Sequence, residues 1–160
     1  MSASSEQLIT LATFGASWVV LAVGHNVADH VTGQSDWQAT NKAAPCPEEV
    51  AAGVSRYRGW SANLAHVAQY HVTLVVLGFG AWLLLPLDWS PLGVACALGW
   101  SAATHAFLDR RWPVRWLLER TGKPAFAQLA ANGMNGMYLS DQALHGLALA
   151  IAAVMLAVIP

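Results

Sequence analysis

Charge is what this sequence has least of. Asp, Glu, Lys and Arg make up 11% of its 160 residues, against about 25% in an ordinary soluble domain. The formal net charge is -1 and hydrophobic residues supply 56%. No basic stripe or nucleic-acid motif is present, which excludes nucleic acid as a partner. Cysteine is almost absent: Cys46 lies in a polar connection and Cys96 in an apolar run, so no disulfide framework or cysteine-based metal motif follows. The opening MSASSEQLITLATF has no positive charge and no small-residue cleavage site after the apolar run. It is expected to be mature protein and not a signal peptide. Sustained repeats and low-complexity segments are also missing.

What is present is apolar length. Four stretches, at 8–30, 62–86, 91–109 and 138–159, approach the roughly 20 residues that a helix needs to cross a bilayer. The 31–61 connection is polar and contains AAPCPEEVAAG, a loop with a short surface helix. PLDWSP between the second and third stretches reads as a tight turn. RRWPVRWLLERTG alternates Trp112, Trp116, Leu117 and Leu118 with arginines, as an interfacial amphipathic helix does. The expected fold is all-α and a single domain over 1–160: an integral membrane bundle of four transmembrane helices with a short interfacial helix between the third and fourth.

All eight lysines and arginines fall in two connections, Lys42, Arg56 and Arg58 in the first and Arg110, Arg111, Arg115, Arg120 and Lys123 in the third. The positive-inside rule predicts that both connections are cytoplasmic and both termini outside, in a multi-pass protein of the inner (plasma) membrane. On that topology Trp60, Trp112 and Trp116 mark the inner interface and Trp82 and Trp89 the outer one. Trp18 and Trp100 read as packing residues, and the arginine clusters as determinants of topology.

Against this apolar background the ionisable residues stand out, because an Asp at a helix centre costs about 2.5–3.5 kcal/mol on insertion scales. His25 and Asp29 end the first span, His105 and Asp109 end the third, and Asp141 and His145 begin the fourth. Each pair is four apart, on one helix face. The order reverses in the fourth span, which runs the opposite way, so each aspartate lies nearer the cytoplasm and each histidine about 6 Å deeper at 1.5 Å rise per residue. The second span contributes His66, with Asn63 and Tyr70 on its face. His71 points elsewhere, and it and His30 read as bundle or interface residues.

Imidazoles and carboxylates projecting inward from facing helices are how bundles build metal sites. Mixed N/O ligands suit a divalent ion, zinc first, with iron or manganese also compatible. The same cluster also suits a structural metal site or an ion or proton path in a non-enzymatic membrane protein. Two histidines on facing spans are compatible with a b-type haem, although the paired aspartates fit it poorly. Asp36 and Asn41 read either as supports for the site or as solvated loop residues. Gly78 and Gly80, with Ala95, Ala97 and Gly99, offer small-residue surfaces for helix packing, within the bundle or in a homo-oligomer.

The segment HNVADHVTGQSDWQATNK resembles the opening motif of a family of small bacterial and phage integral membrane proteins of unknown function. His25, Asp29, Gln34, Asp36, Trp37, Asn41 and Lys42 occupy its pattern of His-x3-Asp-x4-Gln-x-Asp-Trp with a closing Asn-Lys. HVAQYHVTL, THAFLDRRWPVRWL and MYLSDQALH resemble its later blocks. His30 departs from the pattern, where an aromatic residue is common. That family is similar in its His/Asp-bearing spans to membrane-bound metal-dependent hydrolases. The resemblance implies a metal site on His25, Asp29, His66, His105, Asp109, Asp141 and His145. The expected activity is hydrolysis of an amphiphile such as a phospholipid or lipid-linked phosphate. Asp29 or Asp141 would act as catalytic base, and Tyr70 or Gln34 would orient the substrate.

Overall fold

The structure, a computed structural model, describes residues 3–160. Four of its helices are long and apolar enough to cross a membrane: α1, Ser5–Val27, with a π turn continuing it to Thr32; α4, Trp60–Leu84; α5, Pro91–Leu108; and α8, Gly136–Val158. The expected all-α four-helix architecture is therefore present, and local capping sets the ends. Helix α1 starts at Ser5 rather than residue 8 because Ser4 and Gln7 close a reciprocal capping box. Pro91 opens α5 behind a Ser90 cap, and Asn135 caps α8 by accepting from the Tyr138 N–H. The first connection holds two short helices where one was expected, α2 at Asp36–Asn41 and α3 at Pro47–Ala51. The third connection contains the expected helix as α6, Trp112–Arg120, then a short α7, Pro124–Ala127, and a two-residue hairpin of β1, Ala130–Ala131, with β2, Met134–Asn135.

Helix α8 packs along both α5 and α1, while α4 leans mainly on α1. Close approach is possible because α8 presents Ala148, Ala152 and Ala153 to the core beside Leu149 and Leu156, against Leu21, Leu74 and Ala97. Leu and Val residues such as Val19, Val23, Val72, Val76, Leu83 and Leu147 face outward, while His25, Asn63, His66, Ser101 and His105 are buried. That inside-out distribution fits a bundle whose solvent is hydrocarbon. Of the expected small-residue surfaces, Gly78 and Ala97 are buried within the bundle. The Gly80 and Gly99 faces are open. Trp82 is exposed as a belt residue should be, but Trp89 is not: it folds inward and donates to Ser17 Oγ at 2.7 Å.

Two local features position the site. The first is the π turn over Ala28–Thr32, closed by the Gly33 N–H donating to Ala28 O at 2.6 Å. A β-carbon at Gly33 would run into that carbonyl. Gly33→Ala is expected to open the turn and destabilise the protein by about 1–3 kcal/mol, the usual cost of forcing an atom into filled space. Thermal unfolding in detergent reads this, and an unchanged midpoint would contradict it. The second feature is the strap formed by residues 33–45, which crosses the basic end of the bundle. Arg110 ties it down, donating to Lys42 O at 2.9 Å and Arg58 O at 2.6 Å while its guanidinium stacks 4.7 Å from the Trp60 ring centre. Gly59, at φ 88, lets the backbone pass beneath that guanidinium. Each of these charged hydrogen bonds is worth about 1.5–3 kcal/mol. Arg110→Ala should therefore speed amide exchange in the strap while the four long helices keep their protection. Equal exchange in the two proteins would show that Arg110 does not hold the strap.

Candidate metal centre

The π turn aims Asp29 inward and leaves the Gly33 carbonyl facing α4. That carbonyl accepts from His66 Nδ1 at 2.8 Å, which fixes a proton on Nδ1 and turns Nε2 into the cluster. What surrounds Nε2 is unusual. His66 Nε2 lies 3.2 Å from Asp29 Oδ1, 3.2 Å from Asp109 Oδ2 and 2.9 Å from His105 Nε2. His105 Nε2 in turn lies 3.6 Å from Asp29 Oδ1 and 3.3 Å from Asp109 Oδ2. All four residues are buried.

Two carboxylate oxygens and two imidazole nitrogens thus crowd together. Left bare, their lone pairs repel in a low-dielectric interior. A cation removes the conflict: neighbouring ligands at zinc bond lengths of about 2.0–2.1 Å and tetrahedral angles stand about 3.3 Å apart. Within His66, His105 and Asp109 the separations run from 2.9 to 3.3 Å, and Asp29 joins His25 and His105 in a second group. Asp29 Oδ1 is also buried without an aligned hydrogen-bond donor, and Asp109 Oδ2 has the Lys42 ammonium beside it. The donor set therefore fits a divalent ion.

The other expected ligands extend this centre on two sides. His25, Asp29 and His105 bring ligand atoms within 4.8 Å of one another, as do Asp109, Asp141 and His145. His145 Nδ1 bonds its own helix at Asp141 O, 2.9 Å away, which leaves a buried Nε2 without a partner. Asp141 Oδ1 is likewise unpartnered. His25 is more committed: Tyr70 Oη lies 3.1 Å from Nδ1 and Gln142 Oε1 3.0 Å from Nε2. Gln142 Oε1 only accepts, so His25 carries its proton on Nε2 and accepts from the tyrosine at Nδ1.

A polar cavity of about 720 Å³ opens over the centre at the basic end, floored by Asp29, Asp109 and Asp141. None of the four clustered imidazoles lines it; the histidines stand behind the aspartates. The two layers drawn from the reversed spacing in the fourth span are visible here.

Some expected placements need correction. Tyr70 is fully buried, with its ring centre 4.0 Å from that of His105. It orients His25 and cannot reach a substrate in the cavity. Asp36 and Asn41 are exposed on α2, and Asn41 donates to Trp37 O. The Ser35 capping box sets the phase of α2 so that Gln38 and Lys42, four apart, are buried instead. Gln34 lines the cavity, donating to Asp29 O at 3.2 Å with its Oε1 buried and unpartnered. His71 bonds Val67 O and Ser101 Oγ and stays outside the centre. His30 meets Tyr138 Oη at 2.6 Å on the cavity wall.

Three contributions escaped the sequence. Lys42 Nζ is buried 2.9 Å from Asp109 Oδ2, a charge contact rather than an aligned hydrogen bond. Gln142 ties His25 to Asp29 Oδ2, donating to the latter at 3.4 Å. The Gly33 carbonyl fixes the His66 tautomer. Only Lys42 had a signal, as the last residue of the quoted motif.

Fold and site together define a multi-pass bundle of membrane-length helices around a buried His/Asp cluster that could hold a metal ion. No family model, curated protein or solved structure matches the chain.

Proposed function

We propose that the protein is a membrane-embedded, metal-dependent hydrolase acting on a phospholipid or lipid-linked phosphate from the cytoplasmic leaflet of the inner membrane. The observation that carries the proposal is the convergence of His66, His105, Asp29 and Asp109 beneath an open, polar cavity. A closed structural site has no need of such access. The centre takes a divalent ion, zinc by preference for its N/O ligands. When bound, such an ion supplies Lewis acidity toward a phosphoryl oxygen and lowers the pKa of water.

The protein's own groups do the rest. Asp141, partly accessible on the cavity floor, takes the proton of the attacking water as its oxygen bonds to phosphorus. The bond from phosphorus to the lipid-bearing oxygen breaks, and that oxygen is protonated from the open cavity. Asp29 accepts from Gln142 at Oδ2 and gives Oδ1 to the ligand cluster, which makes it the poorer base of the two expected. Lys42 keeps Asp109 from carrying an uncompensated charge, and Gln34 braces the Asp29 backbone carbonyl from the cavity wall.

A second reading has one observation in its favour. The 2.9 Å separation of His66 Nε2 and His105 Nε2 also fits a shared proton, as on a proton path. Release of phosphate or headgroup from short-chain phosphatidic acid and a prenyl diphosphate in mixed micelles separates the two. Hydrolysis that needs added zinc and falls at least 100-fold in Asp141→Asn supports the enzyme. Metal-replete protein without turnover on either class would refute it.

A further inference from the structure

Three consecutive features follow α5: Arg110, Arg111 and α6. Arg110 is consumed by the strap. Arg111 differs. Its backbone sits at φ 64, ψ -31, a sparsely populated conformation for a residue with a side chain, of the kind that collects at ligand sites. Its side chain lines the polar cavity, and so does Arg115, one turn further along α6. Among the described residues, no carboxylate lies within 4.0 Å of either guanidinium. The one hydrogen bond between them is a long one, Arg111 Nη2 to Ala39 O at 3.5 Å.

The cavity is therefore acidic at the floor and basic at the rim. With a cation on the floor, the two unpaired guanidiniums face an open polar volume that suits an anion, and guanidinium forks match phosphate oxygens in pairs. The other side of α6 sets the depth. Trp112 and Trp116 are about half exposed, and tryptophans in that setting anchor at headgroup level.

We infer that Arg111 and Arg115 hold the phosphate of an anionic amphiphile and select a phosphomonoester headgroup over a zwitterionic one. The inference rests on the hydrolase reading for the position of that phosphate over the His/Asp centre. A dianionic phosphate engages both arginines, whereas a choline headgroup brings a cation toward them.

The test is titration calorimetry in a neutral detergent with short-chain phosphatidic acid, phosphatidylcholine of the same chains, and inorganic phosphate. Arg111→Gln and Arg115→Gln are compared with wild type, and Arg120→Gln, outside the cavity, serves as control. Wild type should bind phosphatidic acid at least about tenfold more tightly than either other probe. Arg111→Gln and Arg115→Gln should each lose about tenfold, with metal content and gel-filtration profile unchanged, and the control should match wild type. Equal binding of both lipids, or wild-type affinity in both cavity variants, would overturn the inference. So would inorganic phosphate binding as tightly as the lipid, since the ligand would then not be an amphiphile. Arginine-dependent phosphatidic acid binding by protein that holds no metal would sustain the inference and remove the hydrolase reading.

Discussion

His105→Ala should lower metal affinity by more than about 100-fold, and Asp109→Asn should do the same. Losing a residue that merely orients a ligand costs about 10–100-fold, and these two residues supply donor atoms themselves. Both take part in more than one of the three ligand groups, His105 with His25 and Asp29 and with His66 and Asp109, and Asp109 also with Asp141 and His145. Removing either breaks two groups at once. Tyr70→Phe gives the contrast: it removes the hydroxyl that holds His25 but no donor, so the loss should stay within about 10–100-fold. Competition with a chromogenic chelator measures all three. Equal affinities in His105→Ala and wild type would place the metal elsewhere.

Lys42→Met should destabilise the metal-free protein far more than the loaded one. Lys42 Nζ is buried 2.9 Å from Asp109 Oδ2, and breaking a buried pair by removing one partner costs about 3–5 kcal/mol because the other charge is stranded. In the loaded protein the metal offsets Asp109, so most of that penalty disappears. Added zinc should then raise the unfolding midpoint of Lys42→Met more than that of wild type, because a ligand stabilises by its preference for the folded state. A drop of equal size with and without metal would show that Lys42 and the metal do not share Asp109.

The bundle was legible because the bilayer imposes length: four runs near 20 apolar residues admit few architectures. The layered order of carboxylates and imidazoles was legible for a related reason. A four-residue spacing fixes a helix face, and reversing His and Asp in a helix of opposite direction fixes the depth. Hidden from the sequence was how the chain outside the spans folds back onto the site. Lys42 was read with the positive charges that orient the chain, and no spacing rule reveals that the strap folds it back onto Asp109. Asp36 and Asn41 stayed open between support of the site and solvation because a one-residue change in where α2 starts rotates its face by about 100°, and the Ser35 cap decides that start in favour of solvation. Tyr70 was placed on the correct face, but burial directs its hydroxyl to His25. Trp89 was expected at the lipid interface, yet a buried hydroxyl at Ser17 satisfies its indole N–H instead.

The measurement that tests the central claim most directly is metal content per chain, by elemental analysis, of tag-free protein purified in detergent without chelator. About one or two tightly held zinc, iron or manganese ions in wild type, lost in His105→Ala and Asp109→Asn, is the predicted result. A folded protein that holds no metal and takes up none when it is added would contradict it, leaving a hydrogen-bonded His/Asp cluster suited to carrying protons.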